Sequence, residues 1–196
     1  MKLSKDQIAS LNKDAAGGQK SAYEFLSEAL ETSGHDVGDL TRQIADFQIA
    51  IPSWALGAGG TRFGRFSMPG EPRNLEEKLA DVGLLHALTG AAGAISLHIP
   101  WDTPEDYKAV REQAEEAGLV FDAMNSNTFQ DQKGAGETYK FGSLSNSSEA
   151  SRQQAVEHNL EVIRIGENLG SKSLTVWLAD GANFPGQRNF QRALDR

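Results

Sequence analysis

In the stretch AISLHIPWD, residues 94–102, Ile95, Leu97 and Ile99 alternate with Ser96 and His98 before Pro100 ends the pattern. His98 therefore stands on the non-aliphatic face of a strand, just where the strand stops. An imidazole titrates near neutral pH, so it can pass a proton to or from an oxygen there. Trp54 and Trp177 stand on the corresponding face, at the ends of two other apolar segments. Indole rings offer broad apolar area with one polar handle, which suits the C–H faces of a sugar. Taken alone, His98 reads equally well as a polar plug donating to a nearby carbonyl; the two tryptophans favour a ligand. Asp102, four residues on, has two readings: a group that orients or charge-stabilises His98, or a helix N-terminal acid with no chemistry.

The elements that must position these residues follow a rhythm. Residues 1–46 read as a polar helical segment, in which SAYEFLSEALETSG has helical apolar spacing and ends on a capping Gly34. From 47 to 196, strand-like runs (47–54, 94–101, 119–125 and 172–181) alternate with helices (75–90, 103–118, 147–170 and one beginning near 188). Thr103 and Pro104 read as the N-cap and first residue of the second of these helices. Such alternation predicts a parallel α/β sheet, either doubly wound or part of an eight-stranded barrel.

The strand faces favour the barrel. Phe47, Ile49 and Ile51 oppose Gln48, Ala50, Pro52 and Trp54, while Leu174, Val176 and Leu178 oppose Ser173, Thr175 and Trp177. An open sheet covered on both sides is apolar on both faces. One aliphatic and one mixed face suit a barrel, with the aliphatic side against helices. The third strand is ambiguous, with Asp122 and Met124 on one face and Phe121 and Ala123 on the other. The connections after the first and third strands are long, which marks them as functional; Phe63, Phe66 and Phe129 lie in them.

Other features carry less. The run GAGGTRFG departs from the dinucleotide fingerprint, leads into more loop and lacks the lysine of a phosphate loop. His35 reads as a surface residue, and His86 and His158 as packing groups at helix–helix contacts. EHNLE, residues 157–161, lacks the H-E-x-x-H spacing of a metal box. Asp122 and Asp180 stand isolated.

Composition narrows the partners. The chain has 196 residues, no cysteine and a net charge of −8. Its scattered cations argue against nucleic acid, and no apolar run reaches the length of a membrane span. The N-terminus has no apolar signal region, so the expected location is cytoplasmic and the expected partner a small soluble molecule.

The segments IPSWALGAGGTRFGRF, SLHIPWD, FDAMNSNTF, YKFGSLS, QAVEHNLE and GSKSLTVWLADGANFPGQ resemble, in order and spacing, the bacterial L-rhamnose isomerase family. That family belongs to the xylose isomerase-like (β/α)8 TIM barrels. The resemblance covers roughly residues 45–196 and implies the first four strand–helix units of such a barrel. It implies a metal-dependent aldose–ketose isomerase acting on L-rhamnose-type sugars, with manganese as cofactor. By position, His98 matches the histidine near the sugar ring oxygen, and Trp54, Trp101, Phe129 and Trp177 match the apolar substrate wall. Phe63 matches a loop phenylalanine reaching a neighbouring subunit, which implies a homo-oligomer, commonly a tetramer. The family's metal ligands lie on later strands, so the expectation is that this chain holds no metal ligand and is inactive alone. Two alternatives stay open: a non-catalytic truncated barrel that binds sugar or self-associates, and a sugar epimerase of the same barrel group.

Overall fold

The computed structural model describes residues 3–57, 66–182, 184 and 186–196. Three helices come first: α1 (Lys5–Gly17), α2 (Lys20–Thr32) and α3 (Val37–Ala45). α1 opens on a capping box, in which the Ser4 hydroxyl accepts from Gln7 N–H at 3.2 Å and Gln7 Oε1 accepts from Ser4 N–H at 2.8 Å. None of the three buries a residue. α1 is tied to α4 (Leu75–Thr89) by Asn12 Nδ2, which donates to the Ala87 carbonyl at 3.1 Å.

Four parallel runs then build the sheet. The first is β1 (Ala50–Pro52), followed by a 3-10 turn over Ser53–Leu56. The second is β2 (Ala94–Ser96) with β3 (His98–Ile99), and the third is β4 (Val120–Phe121) with β5 (Met124–Thr128). The fourth is β6 (Leu174–Leu178). β1 pairs with β2, β2 with β4, β3 with β5, and β5 with β6, all parallel. The second and third runs stay joined across their interruptions, because Asp122 N–H donates to Ile95 O at 2.9 Å and Asn125 N–H to Leu97 O at 2.8 Å. Spatial order therefore equals chain order, without the reversal that defines a doubly wound sheet. This is a partial α/β barrel, with β1 and β6 at its two open edges.

The core lies on the aliphatic face. Ile95, Leu97, Ile99, Phe121 and Met124 pack against Leu75, Leu79 and Val82 of α4 and against Val110 and Ala114 of α5 (Tyr107–Glu116). Val162, Ile165 and Leu169 of α6 (Glu149–Leu169) complete the cluster. Burying one such aliphatic side chain contributes about 1.5–3 kcal/mol over leaving it in water. α6 comes so close to β5 that a Cβ on Gly166 would lie 2.9 Å from Met124 Cγ. α6 ends on Gly170 at φ 83°, a left-handed cap that a side chain would strain.

Several expectations need correction. The aliphatic face is covered only where α4, α5 and α6 reach. Phe47 is 69% exposed and precedes a first strand of three residues, and Val176 and Leu178 are exposed on the edge strand β6. Thr103 is not an N-cap. α5 begins at Tyr107, and Asp106 caps it by accepting from Lys108 N–H and Ala109 N–H at 2.8 and 3.1 Å. The third strand runs on through Thr128. That extension puts Ala123, Asn125 and Asn127 on the mixed face and Met124, Ser126 and Thr128 on the helix side. The last helix, α7 (Phe190–Leu194), is one short turn that buries nothing.

Candidate functional site

The C-terminal ends of the four runs bring aromatic rings together around His98. Its imidazole stacks on Trp101, with ring centres 4.1 Å apart and planes 20° from parallel. Trp54, on the turn after β1, meets the imidazole edge-on at 5.4 Å, and Phe129, one residue past β5, does so at 5.8 Å. Phe129 in turn lies 6.2 Å from Trp177 of β6. His98 is 3% exposed and forms the floor of this box, whereas Trp177 at its open edge is 45% exposed. Five of the seven residues expected at a site are thus in one ring cluster. Phe63 lies outside the described residues.

Asp102 joins the site by a route the sequence did not suggest. One of its carboxylate oxygens accepts from the main-chain N–H of His98 at 2.8 Å and from the Ser53 hydroxyl, and the other accepts from Lys78 Nζ. Asp102 N–H returns a bond to the His98 carbonyl at 3.0 Å. It is 2% exposed, and the Lys78 side chain is 13% exposed. A carboxylate removed from water needs such partners to remain charged. Its contacts fix the backbone of His98 and join the β1 turn, α4 and β3 at one point. Asp102 also lies ahead of the first turn of α5, so it is not a helix N-terminal acid.

Two asparagines escaped the sequence reading. Asn125 donates from Nδ2 to the carbonyls of Leu97 and Ala123, both at 3.1 Å, and its Oδ1 accepts from the Trp177 indole N–H at 3.0 Å. It thereby fixes the tryptophan at the box edge. Asn127, paired in register with Trp177, is 0% exposed, and neither polar atom of its amide has a hydrogen-bond partner. Leaving such a group unsatisfied costs about 1–3 kcal/mol. The signal was the period-two spacing in NSNT, which continues an apolar strand with two inward asparagines.

His158 sits at a helix–strand contact, not a helix–helix one. Its Nε2 accepts from Asn127 N–H at 3.1 Å, which puts the ring proton on Nδ1, 3.5 Å from Glu161. Asp180 is not isolated either. One oxygen accepts from Ser143 N–H and Oγ–H at 2.6 and 2.5 Å, and the other from Ser145 N–H and Oγ–H, both at 2.6 Å. Burial opposes its charge, but the hydrogen bonds from Ser143 and Ser145 outweigh burial and hold the carboxyl below its ordinary range. These bonds order the long segment after β5, whose near end is fixed by Asp131 accepting from Tyr139 N–H at 2.6 Å and from the Thr138 hydroxyl at 2.7 Å.

The described residues do not fit a divalent metal. Among them no three histidine or carboxylate groups converge. The three carboxylates just past the ends of the strand runs are engaged, Asp102 by an ammonium, a hydroxyl and an amide, Asp131 by a hydroxyl and an amide, and Asp180 by four donors. No described helix is long and apolar enough to cross a membrane.

No protein-family model matches the chain. It is 53% identical over 174 residues to a protein of Rhizobium meliloti named a probable sugar isomerase, covering 89% of this chain and 40% of that protein. A probable sugar isomerase of Mesorhizobium japonicum is 51% identical over the same shares. An L-rhamnose isomerase of Bacteroides thetaiotaomicron is 25% identical over 82% of this chain and 44% of its own length. The chain is therefore a relative of proteins named as sugar isomerases, and it spans less than half the length of each.

Proposed function

We propose that this chain supplies the aromatic, sugar-holding part of an aldose–ketose isomerase site acting on L-rhamnose-type sugars. The observation that carries the reading is the stacking of His98 on Trp101 with three further rings around it, drawn from all four strand ends. Rings of this kind pack against the C–H faces of a pyranose and exclude water. In this reading His98 stands at the ring oxygen and moves a proton as the sugar ring opens. Asp102 acts through the main chain, holding His98 at the depth where its imidazole can stack.

A divalent metal, manganese by the resemblance, would polarise the sugar oxygens in the complete enzyme. Because the described residues do not fit one, the reading assigns its ligands to protein outside this chain, and the chain alone is inactive. Phe63 is assigned to the neighbouring subunit's pocket in a homo-oligomer.

Tryptophan fluorescence titration of the chain with L-rhamnose tests the reading. A saturable change is expected, absent in Trp101→Ala. No saturable change, or one that Trp101→Ala leaves intact, would sink it. Addition of a chain carrying the missing strand–helix units should then restore aldose–ketose interconversion with wild type and not with His98→Ala. A product inverted at one carbon, still in its original aldose or ketose class, would move the reading to an epimerase.

A further inference from the structure

Just past the end of β6 lies a cavity of about 360 Å³, floored by Ala179 and Gly181. Four of its lining residues are cations: Lys140, Arg188, Arg192 and Arg196; Ser147 and Asn189 add neutral hydrogen-bonding groups. Among the described residues, no carboxylate side chain lines it. The concentration of positive charge is notable in a chain of net charge −8.

Among the described residues, none of the four cations forms an ion pair. The carboxylate that could have neutralised them, Asp180, turns to Ser143 and Ser145 instead. Arg188 donates to the main-chain oxygen of Asp180, and its other terminal nitrogen donates to Ser145 O at 3.2 Å and Ser145 Oγ at 2.7 Å. Arg196 Nη1 donates to that same Ser145 carbonyl at 3.2 Å. Two guanidinium groups thus converge on one neutral acceptor, and the Asp180 carboxylate reaches Arg188 only through the bridging Ser145 hydroxyl, so no carboxylate occupies their outward-facing donors among the described residues. Lys140 Nζ sits 5.4 Å from the centre of the Phe141 ring, at the rim.

We propose that this cavity binds a phosphate group, as the free ion or as the ester of a small phosphorylated molecule. A carboxylate offers two oxygens, enough for one guanidinium fork, whereas a phosphate group presents oxygens to several forks at once. Holding the guanidinium groups on main-chain oxygens presets them for such a ligand and limits the ordering that binding requires. Position is compatible with this, since the loops at the C-terminal ends of parallel strands are where α/β barrels bind their ligands. The site stands on its own residues and does not depend on the isomerase reading.

Isothermal titration of the full chain with inorganic phosphate, against sodium chloride of equal ionic strength, is the test. Saturable one-to-one binding is expected, weakened by about tenfold or more in Arg192→Gln. Arg192 makes no side-chain hydrogen bond or ion pair among the described residues, so this variant should melt at the wild-type temperature without phosphate. A hexose phosphate binding more tightly than inorganic phosphate would identify an ester as the ligand; equal or weaker binding would identify the free ion. Absence of saturable binding, or binding that Arg192→Gln leaves unchanged, would overturn the proposal.

Discussion

Asp102 and Asp180 occupy comparable places, each a few residues beyond the end of a parallel strand, and they do opposite things with nearby cations. Asp102 takes Lys78 from α4 along with the Ser53 hydroxyl and the His98 amide, so charge is neutralised where the aromatic box is built. Asp180 takes four neutral donors from one loop and, among the described residues, makes no direct ion pair with the arginines beside it. One strand end is closed and dry; the other faces a cationic cavity. Choice of hydrogen-bond donors, more than the acid itself, decides which outcome a strand-end carboxylate gives.

That contrast sets the size of each response to mutation. Asp102→Ala should be the most damaging, because it leaves a largely buried ammonium without its partner, at a cost of about 3–5 kcal/mol. Urea unfolding of Asp102→Ala, Lys78→Met and the pair together checks this. The double variant should lose less than the two single losses added, and simple additivity would mean that the ion pair is not the cause. Asp180→Ala should cost less, about 1.5–3 kcal/mol, the range for hydrogen bonds to a charged group. Its effect should be confined to faster amide exchange at Ser143 and Ser145, with the aromatic box undisturbed.

Acid should separate the two strand ends by the same logic. The folded Asp180 carboxyl lies below its unfolded value, so its stabilising contribution is complete above the ordinary carboxylate range, near pH 3.9. It is lost as pH falls through the lower, folded value. Protection of the Ser143 and Ser145 amides in wild type, taken relative to their intrinsic exchange at each pH, should therefore fall only in that acidic window, and Asp180→Asn should flatten the dependence. The smallest stability change belongs to Asn127→Leu, expected between neutral and about 1 kcal/mol stabilising, since it removes an unsatisfied amide. If that amide serves the sugar, the fluorescence response to L-rhamnose should weaken in the same variant; an unchanged response would make it a buried remnant.

Much of the fold could be read from residue types because the governing signals are local. Alternation in 94–99 and the helical stripe of Leu75, Leu79 and Val82 give strand, helix and buried face directly. Helix ends were readable where a glycine must turn left-handed, as at Gly170, and misread at Thr103, where Asp106 won by bonding two amides at once. Trp54 and Trp177 showed themselves by their place at strand ends, whereas Trp101 and Phe129 entered the substrate wall through the resemblance. Among the polar members His98 and Asp102 were readable as candidates, but their contacts and the two asparagines were not. Asp102 is engaged with Lys78, 24 residues earlier, and Ser53, 49 residues earlier, and no spacing rule announces such contacts. Asn125 was hidden for the same reason: its partner Trp177 lies 52 residues away across the sheet.

The strand order has a kinetic meaning as well. Each parallel run pairs with the one made immediately before it, from Ala50 to Leu178, and no strand is inserted later between two earlier ones. Contacts across the sheet are therefore separated by single strand–helix units, which keeps loop closure modest for a parallel topology. Leaving a ribosome, this chain can dock each unit onto an edge that already exists, and the edge the next unit meets is always the newest strand, while the outer edge of β1 stays open throughout.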